Sequence, residues 1–296
     1  MRNEQWERTG TMRVFVTGAN GQVGQEVARV LKGESLYLAT HGTDDVSDRR
    51  IVETIVREQP DLVIHAAAMT DVDACERDPD AAYRVNEEGT RLVARGAAQA
   101  GAFLIAISTD YVFDGDKGAP YVESDRPNPI NVYGHSKLAG EQAALSETDR
   151  VCLVRTAWVF GLGKHHFITM VLNRLRQGEP VRAVIDKYGS PTLAKDLVAT
   201  MLRLAERKAT GIYHVAGAGS CNWFEYAEHI LKSVGRSHPL EPIQFADLNR
   251  PARRPANTAL ASERLPALGL SMRGWREMVE DYLLTHESTA AGPVAT

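Results

Sequence analysis

A tyrosine and a lysine stand four residues apart in the chain, at Tyr133 and Lys137. At this spacing two residues of a helix lie on one face, so the ammonium group would stand beside the phenol. A neighbouring positive charge favours the phenolate and would lower the tyrosine pKa from about 10 toward the working pH. A tyrosine tuned in this way can act as the general acid in carbonyl reduction. The same spacing also arises by chance in surface Tyr–Lys pairs.

A threonine hydroxyl could complete this chemistry. Thr109 follows the apolar segment 103–108, which we predict to be a strand that ends at the carboxyl edge of a sheet. A hydroxyl at that edge can donate a hydrogen bond to the carbonyl oxygen of a substrate and so position it. We therefore predict that Thr109, Tyr133 and Lys137 are the catalytic residues of a reductase.

Three glycines, Gly18, Gly21 and Gly24, follow the first apolar segment at intervals of three residues. Such glycines allow a tight turn, close approach of the backbone to a pyrophosphate, and close packing of a helix on a strand. Any tight strand-to-helix turn selects glycines, so the pattern alone is weak. The strand before it and the helix after it favour a dinucleotide-binding loop, with the pyrophosphate at the helix N-terminus.

The end of the second predicted strand bears on the choice of cofactor. An acidic residue there binds the ribose 2′-hydroxyl of NAD, and a nearby arginine accommodates the 2′-phosphate of NADP. Thr40 and His41 supply neither group. We therefore expect both NADPH and NADH to serve, with NADPH modestly favoured.

The elements that position these residues alternate between short apolar runs and helix-period segments. The predicted strands are 13–17, 36–40, 62–65, 103–108 and 151–156, and the predicted helices between them are 23–31, 49–59, 80–100 and 132–147. Strands without a polar face belong in a parallel sheet that helices cover on both sides. The predicted fold is α/β, a doubly wound parallel (Rossmann) sheet followed by a smaller C-terminal substrate-binding cap.

In the second half of the chain, predicted strands and helices alternate less regularly. We predict helices at 166–177, 192–208, 222–234 and 273–284, a strand at 212–215 and a Pro/Arg-rich loop at 250–256. The predicted organisation is an N-terminal extension at 1–11, a dinucleotide-binding domain at 12–160, a region at 161–284 that is mainly cap with segments returning to the sheet, and a disordered tail at 285–296. A cap in this place would close over the carboxyl edge of the sheet, where ligands bind.

Composition narrows the class of protein. The 296 residues are 44% hydrophobic with a net charge of −4, so nucleic acid and anionic membranes are poor partners. Cys75, Cys152 and Cys221 lie far apart, which argues against a disulfide framework or a zinc site and fits the cytoplasm. Residues 1–11 lack the apolar core of a signal peptide, and no segment approaches the roughly 18 apolar residues of a membrane span.

The sequence resembles the dTDP-4-dehydrorhamnose reductase family of extended short-chain dehydrogenases/reductases. The segments that carry the resemblance are GANGQVG at 18–24, AAAMTDVD at 66–73, STDYVFDG at 108–115, NVYGHSKLAGE at 131–141, RTAWVFG at 155–161, GSPT at 189–192 and RPARRPANT at 250–258. They span nearly the whole chain in family order. STDYVF and PARRP are far more specific than the Tyr–Lys spacing.

The resemblance implies reduction of the 4-keto group of dTDP-6-deoxy-L-lyxo-4-hexulose to dTDP-L-rhamnose, with Lys137 also holding the nicotinamide ribose. It implies further binding residues, which are Gly21, Gln22 and Val23 at the pyrophosphate, Asp45 and Val46 at the adenine, Ala68, Met69 and Thr70 along the cofactor, and Thr109, Asp110 and Trp158 at the substrate. Histidine is usual where this chain has Met69. Some members bind a metal between subunits through glutamates; Glu26 fits one such position, but Lys195 occupies another, so we predict no metal. The resemblance leaves room for a homodimer.

Two substrate contacts also follow from residue chemistry. Arg250, Arg253 and Arg254 lie in a rigid loop rich in prolines, and a guanidinium fork matches a diphosphate; the alternative is a solvated basic loop. Trp158 could stack its ring on the sugar, or it could belong to the core.

Other functions compete on this fold. Sugar dehydratases of this superfamily carry an acid pair directly after the threonine, but Tyr111 follows Asp110 here. A dinucleotide-binding regulatory subunit, like that of methionine adenosyltransferase, would not need Thr109, Tyr133 and Lys137 intact. A 4-keto reductase acting on another nucleotide-linked deoxysugar stays open.

Overall fold

A parallel sheet of six strands runs through the computed structural model, which describes residues 11–162 and 166–287. The strands in chain order are β1 (Arg13–Thr17), β2 (Ser35–Ala39), β3 (Leu62–His65), β4 (Phe103–Thr109), β5 (Val151–Thr156), β6 (Val159–Phe160), β7 (Val181–Val184), β8 (Tyr188–Gly189), β9 (Thr192–Leu193), β10 (Gly211–His214), β11 (Cys221–Asn222) and β12 (Leu240–Ile243). The helices are α1 (Gln22–Val30), α2 (Arg50–Glu58), α3 (Val72–Arg77), α4 (Pro79–Tyr83), α5 (Gly89–Ala100), α6 (Val132–Glu147), α7 (Phe167–Gln177), α8 (Ala194–Glu206), α9 (Trp223–Ser233) and α10 (Trp275–Glu287).

The strand order of the large sheet is β2-β1-β3-β4-β5-β10, and every neighbouring pair is parallel. Strand β1 therefore lies between β2 and β3. The chain adds β2 on one side of β1 and then crosses back to add β3 on the other side. A crevice opens at the carboxyl ends of the strands where the order reverses, and ligands of doubly wound sheets bind there. The predicted α/β fold with a Rossmann sheet is confirmed.

Helices cover both faces of this sheet. Val16 packs with Val27 of α1 and Met201 of α8 on one face, whereas Phe15 packs with Ile55 of α2 on the other. Strands β3 and β5 are buried at every residue. This double coverage explains why the strands are apolar throughout rather than alternating.

The helix predicted at 80–100 is present, but within it α4 and α5 are joined by a π-helical turn at Arg84–Glu88 that we did not predict. The structure also has a further helix, α3, that we did not predict. Asp71 and Asp78 cap α3 and α4 by accepting hydrogen bonds from backbone N–H groups. The π turn contains the buried Asn86, whose partners lie far away in the sequence. No local pattern reveals such partners.

The second half of the chain adds a separate cluster of side chains over the carboxyl edge. Phe160, Ile168, Tyr226, Trp275 and Met278 are buried together in it. Strands β7 and β12 pair in parallel beneath α9, and neither was predicted. Both are short, and β12 is exposed at its two central residues, so they lack an apolar run.

The predicted ends of the chain lie largely outside the described residues, which begin at Thr11 and end at Glu287. Helix α10 runs to Glu287, so residues 285–287, which we predicted as the start of a disordered tail, are helical. The predicted boundary between the two domains stays a prediction. No helix in the described ranges has the length and apolar character needed to cross a membrane.

Candidate active site

A cavity of about 800 Å³ opens at the crevice between the ends of β1 and β3. The glycine loop, the end of β2, residues 66–70, the end of β4 and the first turns of α6 line it. A second cavity of about 350 Å³ adjoins it, and Thr70, Tyr111, Trp158 and Trp223 border both. The two cavities therefore form one continuous cleft between the sheet and the cap.

The glycine loop forms one wall of the larger cavity. Gly18 has a φ of +67°, and a Cβ there would lie 2.6 Å from the backbone nitrogen of Ala67. A Cβ at Gly24 would lie 2.4 Å from the carbonyl oxygen of Gly18. Helix α1 can therefore approach the loop this closely only because residue 24 is a glycine. Gly21 caps α1 without a side-chain acceptor, which leaves the first N–H groups of the helix available to an anion.

The end of β2 borders the same cavity with Thr40, His41, Asp44, Asp45 and Val46. The Asp45 carboxylate accepts hydrogen bonds from the N–H and hydroxyl of Ser47, which hold its pKa below the usual range despite burial. Asp44 is paired with the Tyr37 hydroxyl at 3.2 Å. Asp45 and Val46, which the resemblance implies at the adenine, thus both line the larger cavity.

Residues Ala68, Met69 and Thr70 form the floor of the cavity. The side chain of Asn86 holds them in place, because its oxygen accepts from the Met69 N–H at 2.8 Å and its amide donates to the Met69 carbonyl at 3.1 Å. The same amide donates to the hydroxyl of Ser136 on α6 at 3.0 Å. Asn86 therefore joins the loop to the helix that carries the Tyr–Lys pair.

The three residues predicted to be catalytic converge on the larger cavity. Asn131 caps α6 through the Gly134 N–H, and this helix carries Tyr133 and Lys137 toward the end of β4, where Thr109 lies. The Lys137 ammonium donates to the carbonyl of Ile107 at 2.8 Å. Burial lowers the pKa of Lys137 to about 8, and the Glu141 carboxylate opposes that shift.

The pKa of Tyr133 differs from our expectation. Burial raises it above its usual value, a hydrogen bond with Thr109 opposes the rise, and the charges of Asp110 and Cys75 add to it. The prediction that Lys137 lowers this pKa toward the working pH is wrong for this structure. The reason is that burial dominates.

Asp110 links the end of β4 to the Pro/Arg-rich loop. Its two carboxylate oxygens accept from Thr109, at 3.0 Å, and from the hydroxyl of Thr258. Burial raises the pKa of Asp110 to about 6, although both hydrogen bonds oppose the rise. Asp110 lines the larger cavity and Thr258 the smaller one. Asp110 therefore lies where a sugar contact was predicted.

The Pro/Arg-rich loop brings two of its three predicted arginines to the cleft. Arg254 lines the smaller cavity, and its Nη1 donates to the Asp73 carboxylate at 2.8 Å. Arg253 is exposed and lines neither cavity, so the structure does not bring it to the site. Arg250, the third arginine of this loop, also lines the smaller cavity and contacts Asp73 at 3.3 Å.

Trp158 lies where the two cavities meet. Its φ is +44°, a conformation that costs energy for a bulky residue. Its ring stacks on Trp223 with centroids 3.7 Å apart, and a Cβ at Gly189 would lie 2.4 Å from its Cε2 atom. Trp223 covers one face of the indole and Gly189 lies against it as well, so these contacts fix the ring where the two cavities meet.

Known proteins resemble this chain over most of its length. The protein-family model described as RmlD substrate binding domain matches residues 12–288. A dTDP-4-dehydrorhamnose reductase of Burkholderia thailandensis is 37% identical over 290 residues, covering 90% of this chain and 97% of that protein. The chain belongs to the dTDP-4-dehydrorhamnose reductase family.

Two further comparisons place this family member among proteins of sugar metabolism. The spore coat polysaccharide biosynthesis protein SpsK of Bacillus subtilis is 36% identical over 279 residues, covering 93% of this chain and 98% of that protein. The crystal structure of the Bacillus anthracis dTDP-4-dehydrorhamnose reductase in complex with NADP superposes with a TM-score of 0.90. It is 33% identical, and the match covers 93% of this chain and all of that one. The resemblance drawn from the sequence is confirmed.

Glu26 and Lys195, the two residues that the resemblance connects with a metal, each have an ion-pair partner in this structure. Glu26 is buried and accepts two hydrogen bonds from Arg29, at 2.6 and 3.0 Å. Lys195 pairs with Asp281 at 3.1 Å. Among the described residues, no group of three or more histidine, cysteine or acidic side chains could hold a metal ion. The prediction of no metal stays a prediction.

Sequence reasoning missed several residues of this family member's cleft. Trp223, Tyr111 and Asp73 line it, and Asn86 holds its floor. Asp73 and Tyr111 lie inside segments that carried the resemblance, so proximity to those segments was the available signal. Trp223 had none, because its role depends on the stack with Trp158.

Proposed function

We propose that this chain reduces the 4-keto group of a dTDP-6-deoxy-4-hexulose, converting dTDP-4-dehydro-L-rhamnose to dTDP-L-rhamnose with NADPH or NADH. The observation that carries the proposal is the convergence of Thr109, Tyr133 and Lys137 on one cavity beside an arginine-lined pocket. The relatives named dTDP-4-dehydrorhamnose reductase, similar over most of the chain, support it.

The larger cavity suits a dinucleotide. The uncapped N–H groups at the start of α1 would hold the pyrophosphate, with Gly21, Gln22 and Val23 around it. Asp45 and Val46 would meet the adenine. The NADP named with the Bacillus anthracis structure supports this cofactor class. Residues 68–70 would lie along the rest of the cofactor.

Each catalytic residue has one task in this proposal. Reduced nicotinamide bound in the cavity would supply the hydride that reduces the carbonyl carbon. Tyr133 gives its phenolic proton to the carbonyl oxygen, so the C=O double bond becomes a hydroxyl-bearing single bond and a phenolate is left. The Lys137 ammonium stabilises that phenolate, and the Thr109 hydroxyl positions the carbonyl oxygen.

Tyr133 is protonated at neutral pH, as a proton donor must be, because its pKa lies above its ordinary value. The proton is therefore in place before the carbonyl oxygen gains negative charge. As that charge develops, the acceptor becomes basic enough to take the proton. The residue thus serves as an acid without being ionised beforehand.

The smaller cavity would hold the nucleoside diphosphate. Arg250 and Arg254 supply guanidinium groups, and Lys187 adds an ammonium group to the same lining. Trp158 and Asp110 lie between this pocket and the catalytic residues, where the sugar ring would sit. Another deoxysugar would fit the same arrangement, and the similarity to SpsK keeps that alternative open.

We also propose a cytoplasmic enzyme and a homodimer. Cys75, Cys152 and Cys221 are free and buried, which suits a reducing compartment. Sedimentation equilibrium of the purified chain tests the dimer. A single monomer mass across the concentration range contradicts it.

The experiment that tests the function is a panel of dTDP-4-keto-6-deoxysugars incubated with NADPH or NADH while loss of the reduced cofactor is followed. We expect consumption that depends on the sugar, with dTDP-4-dehydro-L-rhamnose giving the highest kcat/KM. The reduced sugar should be recovered in equal amount to the oxidised cofactor. Cofactor binding without turnover of any sugar contradicts the proposal and favours a regulatory subunit.

A further inference from the structure

A buried ion pair lies one helical turn beyond the lysine of the site. Arg155 on β5 donates to both carboxylate oxygens of Glu141 on α6, from Nε at 2.8 Å and from Nη2 at 2.6 Å. The two side chains are 1% and 3% exposed. The hydroxyl of Ser108, the residue before Thr109, donates to the same carboxylate.

Stability alone is a poor reason for this pair. Two charges taken out of water lose hydration that their mutual attraction scarcely repays, and apolar side chains of similar volume often serve as well. The pair also carries an unsatisfied group, since Arg155 Nη1 is buried and finds no hydrogen-bond partner in the described part of the chain. A contribution to stability therefore does not by itself account for the pair.

The location of the pair indicates a role in the site. Glu141 follows Lys137 by four residues on α6, so the two side chains lie on one face of the helix. The hydrogen bond from Ser108 ties Glu141 to the end of β4, whose last residue is Thr109. One carboxylate thus connects the lysine-bearing helix with the threonine-bearing strand.

We propose that Glu141 is a positioning residue for the reduction: its carboxylate, fixed by Arg155, keeps Lys137 in the ammonium form and joins α6 to the end of β4. The proposal rests on the proposed function only for what Lys137 does in turnover. It adds a residue that lies outside the Thr–Tyr–Lys set and that lines neither cavity.

The charges around Lys137 set the direction of the effect. Tyr133 and Glu141 lie on its own helix, His65 faces it from β3, Asp110 borders the same cavity after β4, and Arg155 backs Glu141 from β5. Burial holds His65 neutral, with its pKa lowered to about 3. Glu141 is the one carboxylate whose charge raises the Lys137 pKa, against burial.

The sign follows directly. Lysine acts here as a charged donor, so its function is lost as pH rises through its pKa. Removing the Glu141 charge lowers that pKa further, and function is then lost at a lower pH. Residues four apart on one helix face have Cβ atoms about 5–6 Å apart, and an opposite charge within about 4–6 Å shifts a pKa by about one unit or more.

The experiment compares four variants of the full chain at a series of pH values. Glu141→Gln removes the charge and keeps the shape. Arg155→Lys disturbs the same contact but keeps the carboxylate charged. Glu147→Gln removes a carboxylate that pairs with Arg95 on the exposed side of α6 and serves as the matched control.

Two readouts are taken, the Kd of NADPH by its fluorescence and kcat/KM for the sugar, each against pH, with the Tm of every variant. We expect the alkaline limb of both profiles to move down by about one pH unit or more in Glu141→Gln. The alkaline limb should keep its position on the pH axis in Arg155→Lys and Glu147→Gln, even if Arg155→Lys has a lower Tm. A structural role would lower the Tm and leave the limb unmoved.

A fourth variant covers the case in which Glu141→Gln does not fold. The double variant Glu141→Leu with Arg155→Met replaces the pair by apolar side chains, and it should fold with a Tm near that of the unmodified chain. Its NADPH profile should also shift downward, but by less than in Glu141→Gln, because the variant removes the opposing charge of Arg155 as well. An unmoved limb in either folded variant overturns the proposal.

Failure of the function and failure of this inference look different. A shifted NADPH profile with no turnover of any sugar supports the role of Glu141 and contradicts the proposed substrate. Normal turnover with an unmoved limb does the reverse.

Discussion

Asp73 and Arg254, which are 181 residues apart in the sequence, form an ion pair of 2.8 Å that joins the sheet half of the chain to the loop lining the smaller cavity. Asp73 also accepts from the Ala252 N–H at 3.2 Å; burial acts to raise the pKa of Asp73, but the hydrogen bonds from Arg254 and Ala252 outweigh it and leave the pKa below its usual value. The Arg254 side chain is only 14% exposed. Asp73 thus fixes the guanidinium at the pocket wall, ready for an anionic ligand.

The first prediction concerns this guanidinium. Arg254→Ala should raise KM for the nucleotide-sugar, and weaken competitive inhibition by free dTDP, by roughly tenfold to a hundredfold, since a charge-assisted hydrogen bond contributes about 1.5–3 kcal/mol. The Kd of NADPH should change little. Arg253→Ala is the matched control, because that neighbour lies outside both cavities. Unchanged dTDP inhibition in Arg254→Ala would show that the diphosphate binds elsewhere.

The second prediction concerns the tryptophan wall. Trp158→Ala should weaken the sugar complex by about 1–3 kcal/mol, judged from the area an aromatic ring buries, without affecting inhibition by free dTDP. Gly189→Ala should produce the same defect, because its Cβ would collide with the indole. Steady-state KM values and dTDP inhibition constants for both variants check this. A parallel loss of dTDP binding would place Trp158 at the nucleotide instead of the sugar.

The third prediction concerns cofactor choice. Because Thr40 and His41 end β2 without an acid or an arginine, both cofactors should support turnover, with NADPH modestly preferred. The ratio of kcat/KM for NADPH and NADH is the measurement. A preference for NADH of about a hundredfold would mean that Asp44, which borders the cavity, binds the ribose 2′-hydroxyl.

The fourth prediction concerns Asp110 and pH. Burial raises its folded-state pKa to about 6 from a usual value of 3.8, so the folded chain binds the proton more tightly than the unfolded chain does. The contribution of this group to stability is therefore greatest below the lower value and falls as pH rises between the two. Asp110→Asn should remove that fall, so its Tm should decline less with pH over this window. An identical pH dependence of Tm in both proteins contradicts the assignment.

Much of the sheet could be predicted from local pattern, and the reason is physical. Strands β3 and β5 and helix α6 have the bounds that apolar runs and capping indicate, because buried parallel strands leave no polar interruption. The π turn containing Asn86 could not be predicted, since its contacts with Met69 and Ser136 span distant parts of the chain.

The same limit applies to the site. Thr109, Tyr133 and Lys137 could be named from short spacing and from the resemblance. The pairing of Asp73 with Arg254, and the stacking of Trp223, depend on how the cap lies against the sheet. A local pattern that treats Arg253 and Arg254 alike cannot tell which one faces the cleft.

The most direct test of the central claim is the turnover of Tyr133→Phe with dTDP-4-dehydro-L-rhamnose and NADPH, measured beside its Kd for NADPH. We predict a loss in kcat of about 10²- to 10⁴-fold, because the proton donor is removed while the ring remains, with the cofactor Kd nearly unchanged. Tyr83→Phe, which removes the hydroxyl of a tyrosine at the surface, should behave as the unmodified chain. A Tyr133→Phe variant that turns over near the unmodified rate would contradict the claim that Tyr133 is the proton donor.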